Sequence, residues 1–430
     1  MRQNALNPGV RGREVFGWAL YDFANSGYTT VVLTAVFSAY FVGVVASDVT
    51  TGTLLWTLTL SVSNLLVMLT IPLIGAWADA HRAKRFLLVL TTLGCVLSTA
   101  ALSLVGAGSI WLAVCLIIVS NVFFSWGESL ISAFLPTLAR PQAIGRVSGW
   151  GWGFGYFGGM LTLGLSLAYV LKAQAAGESS TQFVPVTMLI TAGVFGVAAT
   201  FSLLLLRERS DPDWQARRQG SIGAWQRLCE TWQHARQYQD FVWLLVCTVA
   251  YMGGVAVAIA LAAIYAQQVI GFSETETMLL IFVLNIAAVV GALVLGYGQD
   301  LIGHKPALAI TLLGWIVTCL VAALADDKGM FWVAATIAGL CMGASQSVGR
   351  AMVGLLAPLD RLGEFYGLWT LATRIASILG PLLYGLVTWM TLGNQRLAIG
   401  ATGLLFLFGL ILLIPVRMKR GREAALATKA

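Results

Sequence analysis

GAWADAHRAKR (residues 75–85) and GYGQDLIGHK (residues 296–305) are two copies of one loop. Each follows a long apolar run, sets a glycine four residues before an aspartate, and closes on cationic residues before the next apolar run. Asp79 and Asp300 stand 221 residues apart in a chain of 430, so the repeat covers about half its length. Duplication at this scale in an apolar chain predicts two homologous membrane halves, and hence a transporter.

Composition points the same way. The chain is 58% hydrophobic and 10% charged, with a mean hydropathy of +0.82. Its apolar runs are too long and too numerous for a soluble core. Twelve candidate spans can be read, the first over residues 18–45 and the last over 397–416, each near or above the ~20 residues needed to cross ~30 Å of hydrocarbon. The runs are continuously apolar rather than alternating, which predicts helices and not a barrel. The expected fold is therefore an all-α membrane protein of twelve transmembrane helices in two pseudo-symmetric six-helix bundles.

Charge predicts orientation. With the N-terminus inside, 21 of the 26 Lys and Arg residues fall on the cytoplasmic side and only Lys172, Lys328 and Arg396 outside; Arg350 and Arg374 lie within spans. This follows the positive-inside rule. The net charge of +7 is then a topology signal and does not argue for nucleic acid. Both termini are expected in the cytoplasm, the first span acting as an uncleaved signal anchor, in what would be a bacterial inner membrane. The six cysteines (Cys95, Cys115, Cys229, Cys247, Cys319 and Cys341) show no disulfide or metal-ligand spacing and read as small core residues or, for Cys229, a loop residue.

Residues 1–206 read as the first bundle, 207–240 as a polar linker, and 241–430 as the second bundle with a basic tail. Within the linker, Ile222, Trp225, Leu228 and Trp232 recur at helical spacing, which predicts an amphipathic helix on the inner membrane face. The repeat extends beyond the loops. Pro136 and Pro358 are 222 apart, while Gly145/Gly363 and Gly149/Gly367 are each 218 apart. Gly145, Gly149 and Gly153 make one i, i+4 row in the fifth span, and Gly151, Gly155 and Gly159 another, so two faces of that helix invite close backbone packing.

With these residues in view, the chain resembles the major facilitator superfamily. Residues 17–41 (GWALYDFANSGYTTVVLTAVFSAYF), 134–159 (FLPTLARPQAIGRVSGWGWGFGYFGG) and 364–385 (EFYGLWTLATRIASILGPLLYG) resemble, more narrowly, the branch related to the fungal vacuolar amino-acid effluxer of autophagy, which has many bacterial members. The resemblance implies alternating access by two rocking bundles around a cavity lined by spans one, four, seven and ten. It also implies that Asp79 helps close the cytoplasmic side against the start of span eleven, and Asp300 against the start of span five. Arg82, Lys84 and Arg85 accompany the first aspartate; Gly303, His304 and Lys305 accompany the second. The superfamily's glycine three residues after the aspartate is present as Gly303 but replaced by Arg82 in the first copy, so the two turns are expected to differ.

Charges inside spans mark candidate chemistry, because each costs at least ~2.5 kcal/mol at helix centre. Asp22, Glu128, Arg350 and Arg374 are those charges, with Asn25 and Gln346 the notable polar neighbours. Glu128 and Arg350 each precede a repeat-related proline by eight residues, so they are expected to meet near the axis. An adjacent guanidinium keeps a carboxylate ionised and its withdrawal lets the carboxylate take a proton, which makes Glu128 the candidate coupling site, with Arg350 alternating between it and the solute's carboxylate; a static inter-bundle pair is the alternative. Asp22 reads as snorkelling toward water, and Trp18 as part of an interfacial aromatic belt. Arg374 suits either a structural partner or the solute.

The functional reading is a secondary transporter, expected to be a monomer, for a small polar, carboxylate-bearing solute such as an amino acid, coupled to protons. An uncoupled facilitator and a lipid-translocating protein of the same fold are the alternatives, and a channel or intramembrane enzyme is the reading from another class. No G-x-x-x-x-G-K-[ST] loop argues for ATP drive, and His81, His234 and His304 all fall in loops. No cofactor, metal or catalytic residue is expected.

Overall fold

The computed structural model describes residues 5–46, 49–208 and 238–427. Twelve helices there are long and apolar enough to cross a membrane: α1 (Gly12–Val45), α2 (Val49–His81), α3 (Lys84–Leu104), α4 (Ile110–Leu138), α5 (Ile144–Ala175), α6 (Ser180–Leu205), α7 (Gln239–Gln268), α8 (Glu274–Ile302), α9 (His304–Leu324), α10 (Lys328–Leu356), α11 (Leu362–Met390) and α12 (Gln395–Leu413). A shorter helix, α13 (Met418–Ala427), follows. The predicted linker helix lies outside the described residues.

Both termini emerge on one face, as an even number of spans requires, and this face carries both copies of the loop. It is called the basic face below. Large apolar side chains such as Leu69, Leu97, Leu204, Val294 and Leu382 stand exposed on the bundle's flanks, as they must to meet hydrocarbon chains. Inside, small residues bring backbones together. A Cβ on Gly158 of α5 would run into the carbonyl of Phe23 in α1, and one on Gly291 of α8 into that of Leu340 in α10.

The two glycine rows of α5 have separate uses. Gly145, Gly149 and Gly153 face α8 of the other bundle, where added Cβ atoms would meet Gln299 and Asp300, the carbonyl of Ala292, and Leu293. Gly151, Gly155 and Gly159 face α1 within the same bundle, against Asp22, Ser26 and Thr30. Thus one row lets the bundles close on each other and the other fixes α1 to α5. Across the pseudo-twofold, Gly363 and Gly367 of α11 meet Gly75, Ile71 and Pro72 of α2.

The outer part of α1 is π-helical over Tyr28–Ala35 and Phe41–Val45. α13 is anchored by Asp240 of α7, whose carboxylate accepts from the Arg417 amide at 2.7 Å and from Nε and Nη2 of Arg420 at 2.8 Å each.

Candidate functional site

The loop copies join the two bundles at the basic face. Asp79 Oδ2 accepts the Glu364 amide at 2.9 Å, at the start of α11, and Oδ1 lies 2.6 Å from Lys84 Nζ. Asp300 Oδ1 accepts the Gly145 amide at 2.9 Å, at the start of α5, while Oδ2 takes the Arg146 amide at 3.1 Å and its Nε at 3.0 Å. Both carboxylates sit where a helix presents unpaired N–H groups and its positive dipole end. Gly303 has φ +96° and Arg82 φ +52°, so both turns use positive φ, but only the second copy has a glycine to do so.

The neighbouring loop residues serve their own bundles. Arg85 Nη2 donates to the Leu203 carbonyl at 3.1 Å, Lys305 Nζ to the carbonyls of Ile414 and Val416, and His304 Nδ1 lies 2.8 Å from Gln299 Oε1. Glu208, just beyond α6, accepts the amides of Lys84 and Arg85 at 3.1 Å each and so caps α3.

Deeper in the bundle, the intramembrane charges form two pairs across the halves, and neither is the expected one. Arg350 Nη1 donates to Asp22 Oδ2 at 2.6 Å, and Arg374 Nη2 to Glu128 Oε2 at 3.2 Å. Glu128 therefore does not take Arg350 as its partner. The reason lies in α4: its continuous helix ends at Ser132, and Pro136 belongs to a separate turn, Leu135–Leu138. Pro358 instead follows an unbroken α10, so equal spacing to a proline does not give equal depth.

Asp22 likewise does not snorkel, for it is buried against Arg350. Arg350 is only 2% exposed; its Nε donates to Ser148 Oγ at 3.2 Å and its Nη2 to the Ser148 carbonyl at 2.9 Å. The guanidinium carbon lies 4.6 Å from the Trp18 ring centroid and 5.2 Å from that of Trp152. Trp18 is therefore a buried wall of this site and not a belt residue. Its ring is held by Nε1 donating to the Ile131 carbonyl at 2.8 Å. Ser148 and Trp152 escaped the sequence reading, although Ser148 lies within the glycine-rich stretch that was singled out.

The second pair is more open: the Glu128 side chain is 34% exposed and that of Arg374 17%. Arg374 Nε is buried without a hydrogen-bond partner among the described residues, so this guanidinium keeps a spare donor beside a reachable carboxylate. Asn25 and Gln346 are both buried, about one helical turn from Asp22 and Arg350 respectively. Among the described residues no cluster of His, Cys, Asp and Glu could hold a metal ion.

Two bundles joined by buried charge pairs and by hydrogen bonds at one face constitute a membrane transporter of the major facilitator fold. The solved structures agree. The proton:xylose symporter XylE bound to 6-bromo-6-deoxy-D-glucose superposes with a TM-score of 0.74 at 15% identity, covering 97% of this chain and 98% of that one. The FucP transporter in its outward conformation gives 0.72 at 14% identity, covering 94% and 98%. The family described as "Vacuole effluxer Atg22 like" matches residues 39–426, and the chain belongs to it. An uncharacterized MFS-type transporter of Bacillus subtilis, YxiO, is 25% identical over 403 residues, covering 92% of this chain and 93% of that protein. Autophagy-related protein 22-1 of Neosartorya fischeri is 26% identical over 310 residues, which cover 66% of this chain but only 50% of the fungal protein. The chain is thus a multi-pass integral membrane transporter and not an enzyme.

Proposed function

We propose that this transporter moves a small polar solute bearing a carboxylate, with amino acids as the leading class, by alternating access coupled to protons. The basic face is the cytoplasmic one, and the membrane that of a bacterial cell, as the B. subtilis relative suggests. The observation that carries the reading is the half-open Glu128–Arg374 pair, in which two helices of opposite bundles present a carboxylate and a guanidinium with a spare donor. A guanidinium fork suits a planar carboxylate. When the solute's carboxylate takes Arg374, Glu128 loses its counter-charge and takes a proton, so solute and proton move together. Amino acids rank first because residues 17–41, 134–159 and 364–385 resemble the branch related to the fungal vacuolar amino-acid effluxer, in line with the family match.

The test is transport in proteoliposomes over a panel of labelled amino acids, organic acids and lysophospholipids. Glu128→Gln should abolish accumulation driven by a proton gradient and leave counterflow. Arg374→Ala should lose binding by about tenfold or more, the value of a charge-assisted bond. Accumulation at the parental level in Glu128→Gln would remove the coupling role, and a preference for neutral lipids would remove the substrate class.

A further inference from the structure

Arg350 belongs to the second bundle, yet everything that holds its guanidinium belongs to the first. Asp22 supplies a carboxylate oxygen at 2.6 Å, Ser148 a hydroxyl at 3.2 Å and a carbonyl at 2.9 Å, and Trp18 and Trp152 two ring faces. From its own bundle, Tyr366 Oη donates at 2.9 Å to the Arg350 backbone carbonyl and not to the guanidinium. Gly151 forms part of the enclosure: a Cβ there would stand 2.5 Å from both Arg350 Nη2 and Asp22 Oδ2, and 2.7 Å from Trp18 Cη2. The result is a receptor for a planar cation, lined by a carboxylate, two aromatic faces and two oxygen acceptors.

This receptor is rigid within its own bundle. The Ile131 carbonyl fixes the Trp18 ring, and α1 and α5 touch at backbone level, with the Gly155 position 3.2 Å from the Asp22 carbonyl and Gly158 pressed on that of Phe23. Parting of the halves at the basic face withdraws Arg350 with α10 and leaves the receptor standing. A vacated site with a buried carboxylate takes up either a proton or a new counter-charge, and the two aromatic faces beside it favour a cation.

We propose that Asp22, Trp18, Trp152 and Ser148 form a cation site that receives the guanidinium or ammonium group of a solute once the bundles part, and that Arg350 is its resident occupant in the closed form. Solute cation and Arg350 then compete for one receptor, so occupancy by solute favours the form open at the basic face. The proposal rests on alternating access but not on Glu128 or Arg374, and it narrows the solute to one that carries a cationic group as well as a carboxylate.

The probe is ethylguanidinium, which has no carboxylate, with ethylurea as its neutral isostere. In the full-length Arg350→Ala protein the cage is vacant, and calorimetry should show ethylguanidinium binding at least about tenfold more tightly than ethylurea. Adding Asp22→Asn should erase that difference. Equal affinity for the two probes, or a preference that survives Asp22→Asn, overturns the proposal. A second measurement leaves the cage intact. Ala351 is fully buried and packs against the first bundle's core, so Ala351→Cys reports opening through its maleimide labelling from the basic face, followed at that residue by mass spectrometry. Ethylguanidinium should raise that labelling rate severalfold over ethylurea, in Glu128→Gln as well as in the parental chain. An unchanged rate in both overturns the cation site, whereas a loss of proton-driven accumulation alone bears only on Glu128.

Discussion

The two loops that open the sequence argument perform one task with different parts. The Asp79 copy takes the Glu364 amide of the opposite bundle and pairs with Lys84 of its own bundle. The Asp300 copy holds two amides and a guanidinium, all from the opposite bundle. One pair of equivalent positions differs in charge: Arg146 begins α5 where Glu364 begins α11, 218 residues on. The motif glycines differ too. Gly75 meets the Gly363 carbonyl directly, whereas Gly296 stands against Gly149 Cα with 3.0 Å to an added Cβ. The first copy therefore has the tighter shape latch, at Gly75, and the second a charge latch, at Asp300.

Breaking the shape latch should have the largest effect. Gly75→Ala forces a methyl into backbone that cannot yield, at a cost of about 3 kcal/mol to the closed form, while Gly296→Ala should cost about 1 kcal/mol. The labelling rate of Ala351→Cys from the basic face reads both. Equal rates for the two variants would erase the asymmetry.

The charge latch comes next. Asp300→Asn takes the negative charge from three bonds across the bundles and should favour opening by about 2 kcal/mol; Asp79→Asn takes it from the Glu364 amide bond and the Lys84 pair and should do so by about 1–2 kcal/mol. Arg146 is partly exposed, so solvent screening keeps the first figure from being larger. The same labelling assay ranks them, and a larger effect for Asp79→Asn would show that closure rests on the first copy.

The turns give the smallest effects. Gly303 holds φ +96° with ψ 151°, a region that a side chain resists, so Gly303→Ala should cost about 1–2 kcal/mol in thermal stability. Arg82→Gly relieves a left-handed residue but adds freedom to the unfolded chain and removes the side chain's own interaction, and should leave stability unchanged or lower it by up to about 1 kcal/mol. A marked gain from Arg82→Gly would mean that the first turn is strained beyond an ordinary left-handed residue.

Much of this organisation was legible in the chain. The spans follow from apolar run length, and the places where Asp79 and Asp300 dock follow from the resemblance together with the chemistry of helix N-termini. The glycine rows could be read as close-packing faces, but not which bundle each row would meet. The charge partners could not be read. Glu128 and Arg350 look equivalent by their spacing to Pro136 and Pro358, and only the structure shows the break after Ser132 and their separate partners, Arg374 and Asp22. Trp18 carries no sequence mark that separates a belt residue from the wall of a cation cage, since both lie near a helix end.

The sequence by itself determined that this chain crosses a membrane twelve times in two related halves, because the cost of exposing backbone and charge to hydrocarbon acts on each segment locally and leaves its record in composition and period. Tertiary structure alone decided which carboxylate answers which guanidinium. That choice depends on the rotation and depth of helices hundreds of residues apart, as with Asp22 and Arg350, and at distances near 3 Å a shift of one helical turn is enough to exchange the partners.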